Sequence, residues 1–198
     1  ISFLDYFNLD GTGVTFSGVW KTLRSFFTYD TSEAEREIHI YLGNDAEISQ
    51  ISVNVDSGTT LRLVDINKDC DVTVKTVDSK AEISNVNIAS MSVSGSGSDI
   101  SIGNSSANNF EYNATSTKFI TNNFVCENIL LESQSSDISL LNADFRNINA
   151  TLGTSNFTVS TKYDRTSYFR KIQINEGVIT ENETQIGQKD ESPEESLG

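Results

Sequence analysis

Short sequence units recur along this chain at a fixed distance, and this recurrence limits the folds it can adopt more than any other feature. The pentad SDISI at 98–102 recurs as SDISL at 136–140. The related pentad SNFTV follows at 155–159, and the step to it is half as long as the first step. DAEIS at 45–49 and KAEIS at 80–84 are a second related pair. Such recurrence is typical of repeat arrays, in which each unit buries its apolar face against its neighbours.

Between about Glu37 and Thr161, apolar residues alternate with Ser, Thr, Asn or Asp in short runs, such as MSV at 91–93. A period of two predicts half-buried β-strands and does not fit a helix. Successive strands begin about ten residues apart, so pairing alternate strands gives a coil of about 19 residues. We therefore predict an all-β fold, a single-stranded parallel β-solenoid (β-helix) of about 19-residue coils with capped ends.

A β-sandwich is the alternative fold, because its turns also recur roughly every 8–12 residues. Sandwich strands usually run about five or six residues, however, and near-identical pentads are not expected to recur along them. The short alternations and the two related spacings of the recurring pentads favour the solenoid.

The repeat pattern divides the chain into four parts. Residues 1–36 are a predicted N-terminal capping segment, and residues 37–161 are the solenoid repeats. Residues 162–180 are a predicted C-terminal cap, because they are longer and more charged than a coil strand. Residues 181–198 are acidic and almost free of apolar side chains, which predicts a disordered tail.

The N-terminal part contains an aromatic and basic run, FSGVWKTLRSFF at 16–27. We interpret this run as a cover for the first coil, since an array needs atypical ends. The alternative is a membrane-surface anchor, with Lys21 and Arg24 near lipid headgroups.

The charge of the chain restricts its partners. The formal net charge is −14, which excludes nucleic acid, because phosphate binding needs a basic face. No stretch approaches the roughly 20 apolar residues of a spanning helix. The chain begins at Ile1, which is compatible with removal of an upstream signal peptide or membrane anchor. We expect an extracellular or cell-envelope location.

The sequence offers little for nucleophilic catalysis. Its one histidine, His39, lies between Ile38 and Ile40 in an alternating strand. Any Ser–His–Asp or Cys–His arrangement would have to use it, and we interpret it as a solvent-facing strand residue. No HExxH, Walker or GxGxxG motif is present.

The two cysteines, Cys70 and Cys126, are too few for a zinc site. Their separation in the sequence is close to three coils, which predicts a distance of about 14 Å and two unpaired thiols. The segment DINKDCD at 65–71 resembles the start of a calcium loop, but it lacks the glycine, and Thr76 stands where the glutamate is needed. We interpret it as a polar turn and predict no metal site and no cofactor.

A pair of carboxylates is the strongest candidate for chemistry. Asp99 and Asp137 occupy equivalent repeat positions two coils apart, which predicts a separation of about 10 Å. Polysaccharide-cleaving β-helices use such acidic clusters. The predicted separation of the two carboxylates is also of the order found in hydrolytic pairs. Each residue also fits as a turn residue leading into a strand, and no inserted loop builds a deep cleft. We predict no catalytic residue and keep a glycan-cleaving enzyme as a minor alternative.

The recurring Ser-Asp-Ile-Ser-Ile and Ala-Glu-Ile-Ser units, threaded with Gly, Ser and Asn, resemble a bacterial adhesin-like family over about Glu37 to Thr161. The resemblance implies a domain of unknown function with a β-helix fold, displayed in the cell envelope outside a membrane anchor. It implies surface interaction and supplies no catalytic residue.

These observations together predict a non-enzymatic cell-surface or secreted binding or adhesion module that presents a polar face to a protein or glycan ligand. An extracellular sensor domain of a cell-envelope stress or regulatory protein is the alternative. The ends of the sheet would pair with another molecule unless capped, so a monomer and a homo-oligomer both stay open.

Overall fold

The computed structural model describes residues 8–9, 13–16, 47–56, 58–164 and 166–191. Strands and no helix occur within these residues, which confirms the predicted all-β class. The strands of the first half are β1 (Asn8–Leu9), β2 (Gly13–Phe16), β3 (Gln50–Val55), β4 (Thr60–Val64), β5 (Asp71–Val77), β6 (Lys80–Ser84) and β7 (Asn87–Ser96). Those of the second half are β8 (Asp99–Thr115), β9 (Lys118–Gln134), β10 (Asp137–Leu141), β11 (Asp144–Val159), β12 (Phe169–Glu181), β13 (Thr184–Gly187) and β14 (Lys189–Glu191).

Successive coils stack on one another in parallel register. Met91 pairs with Phe110, and Phe110 pairs with Ile129, each one repeat further along the chain. The step is longer in the last coil, where Ile148 pairs with Arg170. This confirms the predicted parallel β-solenoid and its repeat length, and it excludes the β-sandwich alternative.

Each coil has three faces, whereas the pairing of alternate strands predicted two. The long face consists of β3, β5 and the equivalent segments 90–96, 109–115, 128–134, 147–152 and 169–174. The short face consists of β4, β6, β10 and the segments 99–103, 118–122, 156–159 and 178–181. The narrow face consists of the segments 87–88, 106–107, 125–126 and 144–145. Segments this short show no alternation of their own, which is why the sequence did not reveal them.

Inward side chains of equivalent positions stack into columns and form one thin core. Its middle is aromatic: the ring of Phe119 stacks on Tyr112 at a centroid distance of 4.5 Å and on Phe110 at 5.6 Å. Phe124 meets Phe110 edge-on at 5.2 Å. All four side chains are buried. Full burial of one large apolar side chain stabilises the fold by roughly 1.5–3 kcal/mol, so these four rings stabilise the central coils.

Two corners of the coil turn through residues with positive φ. At the corner between the long and short faces, called here the groove corner, these residues are Gly58, Asp78, Gly97, Ser116 and Ser135. At the corner between the short and narrow faces, called here the asparagine corner, they are Asp65, Asn85, Asn104, Asn123 and Asn142. Glycine adopts this backbone region freely and Asn or Asp adopts it at low cost. The small polar residues of the repeat are therefore the residues that turn the coil.

The solenoid begins earlier than the predicted boundary at residue 37. Strand β2 pairs in parallel with β3, with Gly13 opposite Gln50, so residues 13–16 already belong to the long face. β1 then pairs antiparallel with β2. Most of the aromatic run at 16–27 and the predicted strand around His39 lie outside the described residues, so their predicted roles stay predictions.

The C-terminal boundaries also differ from the prediction. β12, placed in the predicted cap, pairs in parallel with β11 along its length and is a further coil. The predicted disordered tail from 181 onwards was wrong up to Glu191, because β13 and β14 pair antiparallel with β12. This end of the core is covered by the buried ion pair of Arg170 with Asp190 and by the partly buried side chain of Ile186. Residues 192–198 lie outside the described part of the chain.

Candidate binding groove at a corner of the solenoid

An open groove of about 570 Å³ runs along the groove corner and crosses consecutive coils. Its lining is almost entirely polar or glycine. It consists of Gly97, Ser98, Asp99, Ser116, Thr117, Lys118, Ser135, Ser136, Asp137, Thr154, Ser155, Asn156, Glu176 and Gly177. Each coil contributes a short run of consecutive residues, so the repeat that builds the fold also builds the groove.

The middle residue of each three-residue contribution is a buried hydroxyl that holds the corner together. The Oγ atom of Ser136 accepts a hydrogen bond from the backbone N–H of Thr117 at 3.2 Å. The Oγ atom of Ser155 accepts one from the N–H of Ser136 at 3.2 Å. Ser98 does the same for the N–H of Ser79 one coil earlier. These hydroxyls satisfy buried backbone donors that the turn would otherwise leave unpaired, so their role is structural.

The residue after each buried hydroxyl points outward, and these side chains form one exposed column. Asp99 pairs in register with Lys118, Lys118 with Asp137, and Asp137 with Asn156. Neighbouring members lie one strand spacing apart, about 4.8 Å. The Nδ2 group of Asn156 donates a hydrogen bond to Oδ1 of Asp137 at 3.0 Å. The groove therefore presents one cation between two carboxylates, followed by an amide.

The C-terminal end of the groove has a different geometry. β11 and β12 run through this corner as continuous strands, and Thr154 and Glu176 lack the positive φ of the equivalent residues in the earlier coils. Gly177 has a φ of 127°, and a Cβ atom there would overlap the carbonyl oxygen of Ser155. Thr154 donates a hydrogen bond to the carboxylate of Glu176 at 3.3 Å. Glycine thus allows the last coil to approach closely, and Glu176 adds a third acid to the groove.

The structure places the two predicted carboxylates as the sequence indicated, in equivalent positions two coils apart. It also places Lys118 between Asp99 and Asp137, a position that was not predicted from the sequence. The signal was present: comparison at a spacing of one coil instead of two matches Thr117-Lys118-Phe119 to Ser98-Asp99-Ile100. Two ladder steps correspond to about 10 Å between the two backbones, which lies at the upper end of the carboxyl separations of about 5–9.5 Å in glycosidases.

The two cysteines are free, as predicted, and both are buried. Burial raises the pKa of the Cys126 thiol to about 12, and a hydrogen bond with the backbone of Asn128 partly offsets this. Burial also raises the pKa of Cys70, and the nearby Asp71 and Asp69 raise it further. Both thiols therefore stay protonated near neutral pH, which makes them poor nucleophiles and poor metal ligands.

Asp65, the first residue of the calcium-like segment, lies at the asparagine corner. Its Oδ1 atom accepts a hydrogen bond from Nδ2 of Asn85 at 3.0 Å, and Asn87 makes the same contact with Asn67. The carboxylate of Asp65 thus connects two neighbouring coils through a hydrogen bond. Among the described residues, no three His, Cys, Asp or Glu side chains lie together in a group that could hold a metal ion.

The register, the three-faced coil and the corner groove define the protein class as a parallel β-solenoid with a polar groove. The chain belongs to the Toastrack DUF4097 family, whose model matches residues 14–196. This is a family of unknown function with a solenoid fold. The match confirms the expectation of a domain of unknown function with a β-helix fold. No curated protein and no solved structure matches the chain. Within the described residues, no helix has the length and apolar character needed to span a membrane.

Proposed function

We propose that this chain is a non-enzymatic binding module, secreted or displayed at the cell surface, that takes a glycan chain into the groove corner. The observation that supports this is the column of Asp99, Lys118, Asp137 and Asn156, which repeats hydrogen-bonding groups at one strand spacing along an open groove. A linear polymer with regularly spaced polar groups matches such a surface, because each of its units meets an equivalent coil.

A glycan fits the groove better than an extended peptide does. Peptides commonly join a sheet by pairing with the free edge of a strand. The short-face segments beside the groove are already paired on both sides, as β10 is with β9 and β11. No backbone edge is therefore offered in the groove itself. Side-chain hydroxyl, carboxylate, amide and ammonium groups remain, and these are the partners that sugar hydroxyl groups need.

The charges in the groove favour neutral or amino-bearing sugars over acidic ones. Asp99, Asp137 and Glu176 carry three negative charges against the one positive charge of Lys118. The whole chain carries a formal charge of −14, so the surrounding field also repels polyanions. An acidic polysaccharide would bring its carboxylates beside these three acids. An amine would gain charge-assisted hydrogen bonds from them.

The same groove lacks support for catalysis. The separation of Asp99 and Asp137 is wide for a hydrolytic pair, and Lys118 occupies the position between them. Asp137 already accepts a hydrogen bond from Asn156. We assign these side chains to ligand binding. A cell-surface or secreted location belongs to the same proposal, because structural polysaccharides lie outside the cell membrane.

The proposal is tested with purified protein and immobilised neutral, amino-bearing and acidic glycans, with matrix proteins as a fourth group, at low and moderate salt. We expect saturable binding to a neutral or amino-bearing glycan. Asp137→Ala should weaken that binding about tenfold, the effect expected when one charged hydrogen bond is lost. Asp71→Ala is the matched control, since Asp71 is exposed and also begins a strand, but lies on the long face.

Three results would contradict the proposal. Equal loss in Asp137→Ala and Asp71→Ala would show that the groove is not the site. Preference for acidic glycans would contradict the charge argument. Binding to a protein in the panel and to no glycan would move the function to protein recognition.

A further inference from the structure

The C-terminal end of the solenoid carries two ionisable side chains at positions where every earlier described coil is uncharged. Arg170 occupies the end of an inward column on the long face, and Glu181 occupies the end of one on the short face. The residues that precede Arg170 in its column are Ile51, Val72, Met91, Phe110, Ile129 and Ile148. Those that precede Glu181 are Leu63, Ile83, Ile102, Thr121, Leu140 and Val159.

Both charged side chains are buried, with 8% of Arg170 and 3% of Glu181 exposed. The Nε atom of Arg170 lies 2.9 Å from Oδ2 of Asp190, which is itself buried. The guanidinium also lies 5.9 Å from the ring centre of Tyr168. A buried guanidinium is tolerated only when it is paired and hydrogen-bonded. Arg170 therefore requires the strand that carries Asp190.

That strand belongs to the closing segment, defined here as β13 and β14, residues 184–191. β13 pairs antiparallel with the end of β12, where Glu181 faces Thr184. β14 pairs antiparallel with the first half of β12, where Ile172 faces Asp190. The N–H of Ile174 between them donates to the carbonyl of Gln188 at 2.8 Å. The closing segment thus occupies the β12 edge on which another coil would otherwise stack.

We propose that the closing segment and the two inward charges form a guard that prevents self-association of the solenoid, and that the excluded partner is a second copy of this chain. An uncovered β12 would present its free hydrogen-bonding groups together with the buried faces of Ile172, Ile174 and Ile179. Such an edge pairs readily with an identical edge. The closing segment blocks the backbone groups.

The charges act separately from the closing segment. A second copy that paired at β12 would bring its own Arg170 and Glu181 into the same dry interior. Removing four charged groups from water costs more free energy than imperfect pairing returns. If the closing segment alone detaches, the charges stay in water and the molecule therefore stays monomeric. If the segment detaches and the charges are also removed, the exposed β12 edge should pair with a second copy. This proposal does not depend on the function assigned to the groove.

The test uses three forms of the full chain, measured by sedimentation velocity over a hundredfold range of concentration. The unchanged chain should be monomeric throughout. Asp190→Pro removes both the ion-pair partner and a strand donor in β14, and this variant should also stay monomeric. The triple variant Arg170→Ile, Glu181→Val, Asp190→Pro should associate as concentration rises, with its β content by circular dichroism retained.

A triple variant that stays folded and monomeric would overturn the proposal. Association of Asp190→Pro as strong as that of the triple variant would also overturn it, because the charges would then contribute nothing. Unfolding of the triple variant would overturn it as well, since isoleucine and valine continue columns that are uncharged in the preceding coils. Hydrogen exchange at Ile172 and Ile174 provides the second readout, with protection lost in Asp190→Pro and regained in the associated triple variant.

Discussion

The side-chain Nδ2 group of Asn123 donates a hydrogen bond to Oδ1 of Asn104, one coil earlier in the chain, at 3.0 Å. Both residues have positive φ, 56° and 48° respectively. One residue type therefore serves two purposes at the asparagine corner. It adopts the left-handed backbone that turns the coil, and its amide connects that turn to the same turn of the neighbouring coil.

The two contributions of Asn123 can be separated by substitution. Asn123→Ala removes the amide and places a Cβ in the left-handed region, so it should lower the free energy of unfolding by about 2 kcal/mol. Asn123→Gly removes the amide without the backbone strain and should cost about half as much. Urea unfolding measures both. Asn149→Ala, at an exposed strand position, is the control and should change stability by less than about 0.5 kcal/mol. Equal costs for Ala and Gly would contradict the strain argument.

The aromatic centre of the core should be the most sensitive part of the solenoid. Phe119 is fully buried and stacks between Tyr112 and Phe110. Phe119→Ala should therefore lower the free energy of unfolding by about 3–5 kcal/mol. The neighbouring Ile120 points to the outer side of the same strand and is only partly buried, so Ile120→Ala should cost about 1 kcal/mol or less. Similar costs for the two variants would show that the register of β9 is wrong.

The buried thiol of Cys126 should be inert in the folded protein and should make stability depend on pH. In a Cys70→Ala background, Cys126 should react with an aromatic disulfide reagent at pH 8 only after urea is added. Burial raises its pKa to about 12, whereas an unfolded thiol has a pKa of about 8.5. The folded chain thus keeps the proton that the unfolded chain loses. The stabilisation is complete below about pH 8.5 and falls as pH rises towards 12. Rapid labelling without urea would contradict the burial.

The turn that leads into the closing segment should be improved by glycine. Asn182 and Glu183 connect β12 and β13 with φ values of 45° and 67°, a pair of positive values typical of two-residue hairpin turns that favour Asn-Gly. Glu183→Gly should therefore raise the free energy of unfolding by about 1 kcal/mol. Glu111→Gly, at an extended strand position, is the matched control and should lower it by a similar amount. A loss of stability in both variants would contradict the assigned turn.

The sequence predicted the repeat length and the strand faces because inward residues of equivalent coils are all selected for burial. Ile100 and Ile138, for example, are both apolar. Their spacing in the sequence corresponds to two coils, and the structure places them two coils apart in the same column. It did not reveal the narrow face, since Ala107 and Cys126 occupy a segment with very few paired residues. A segment of that length carries no period that could be recognised.

The groove and the C-terminal end were harder to predict, for physical reasons that differ. Lys118 belongs to the Asp99 column by position, not by residue type, so a search for similar residues missed it. From the sequence alone, Asp190 is interpreted as part of a solvated acidic tail, because its ion pair with Arg170 is not visible there. Pairing between the strands that carry these two residues depends on the register of the last coil, which is longer than the repeat.

Equivalent corners of successive coils stack into one column, and both the fold and the groove depend on this stacking. Spin labels at Thr60→Cys and either Asp137→Cys or Asn156→Cys, in a Cys70→Ala, Cys126→Ala background, measure this directly by pulsed electron paramagnetic resonance. Thr60 lies four ladder steps from Asp137 and five from Asn156. We expect mean distances of about 19 Å to Asp137→Cys and about 24 Å to Asn156→Cys, which differ by one strand spacing. Equal distances, or a shorter distance to Asn156, would contradict the stacked column and the groove built on it.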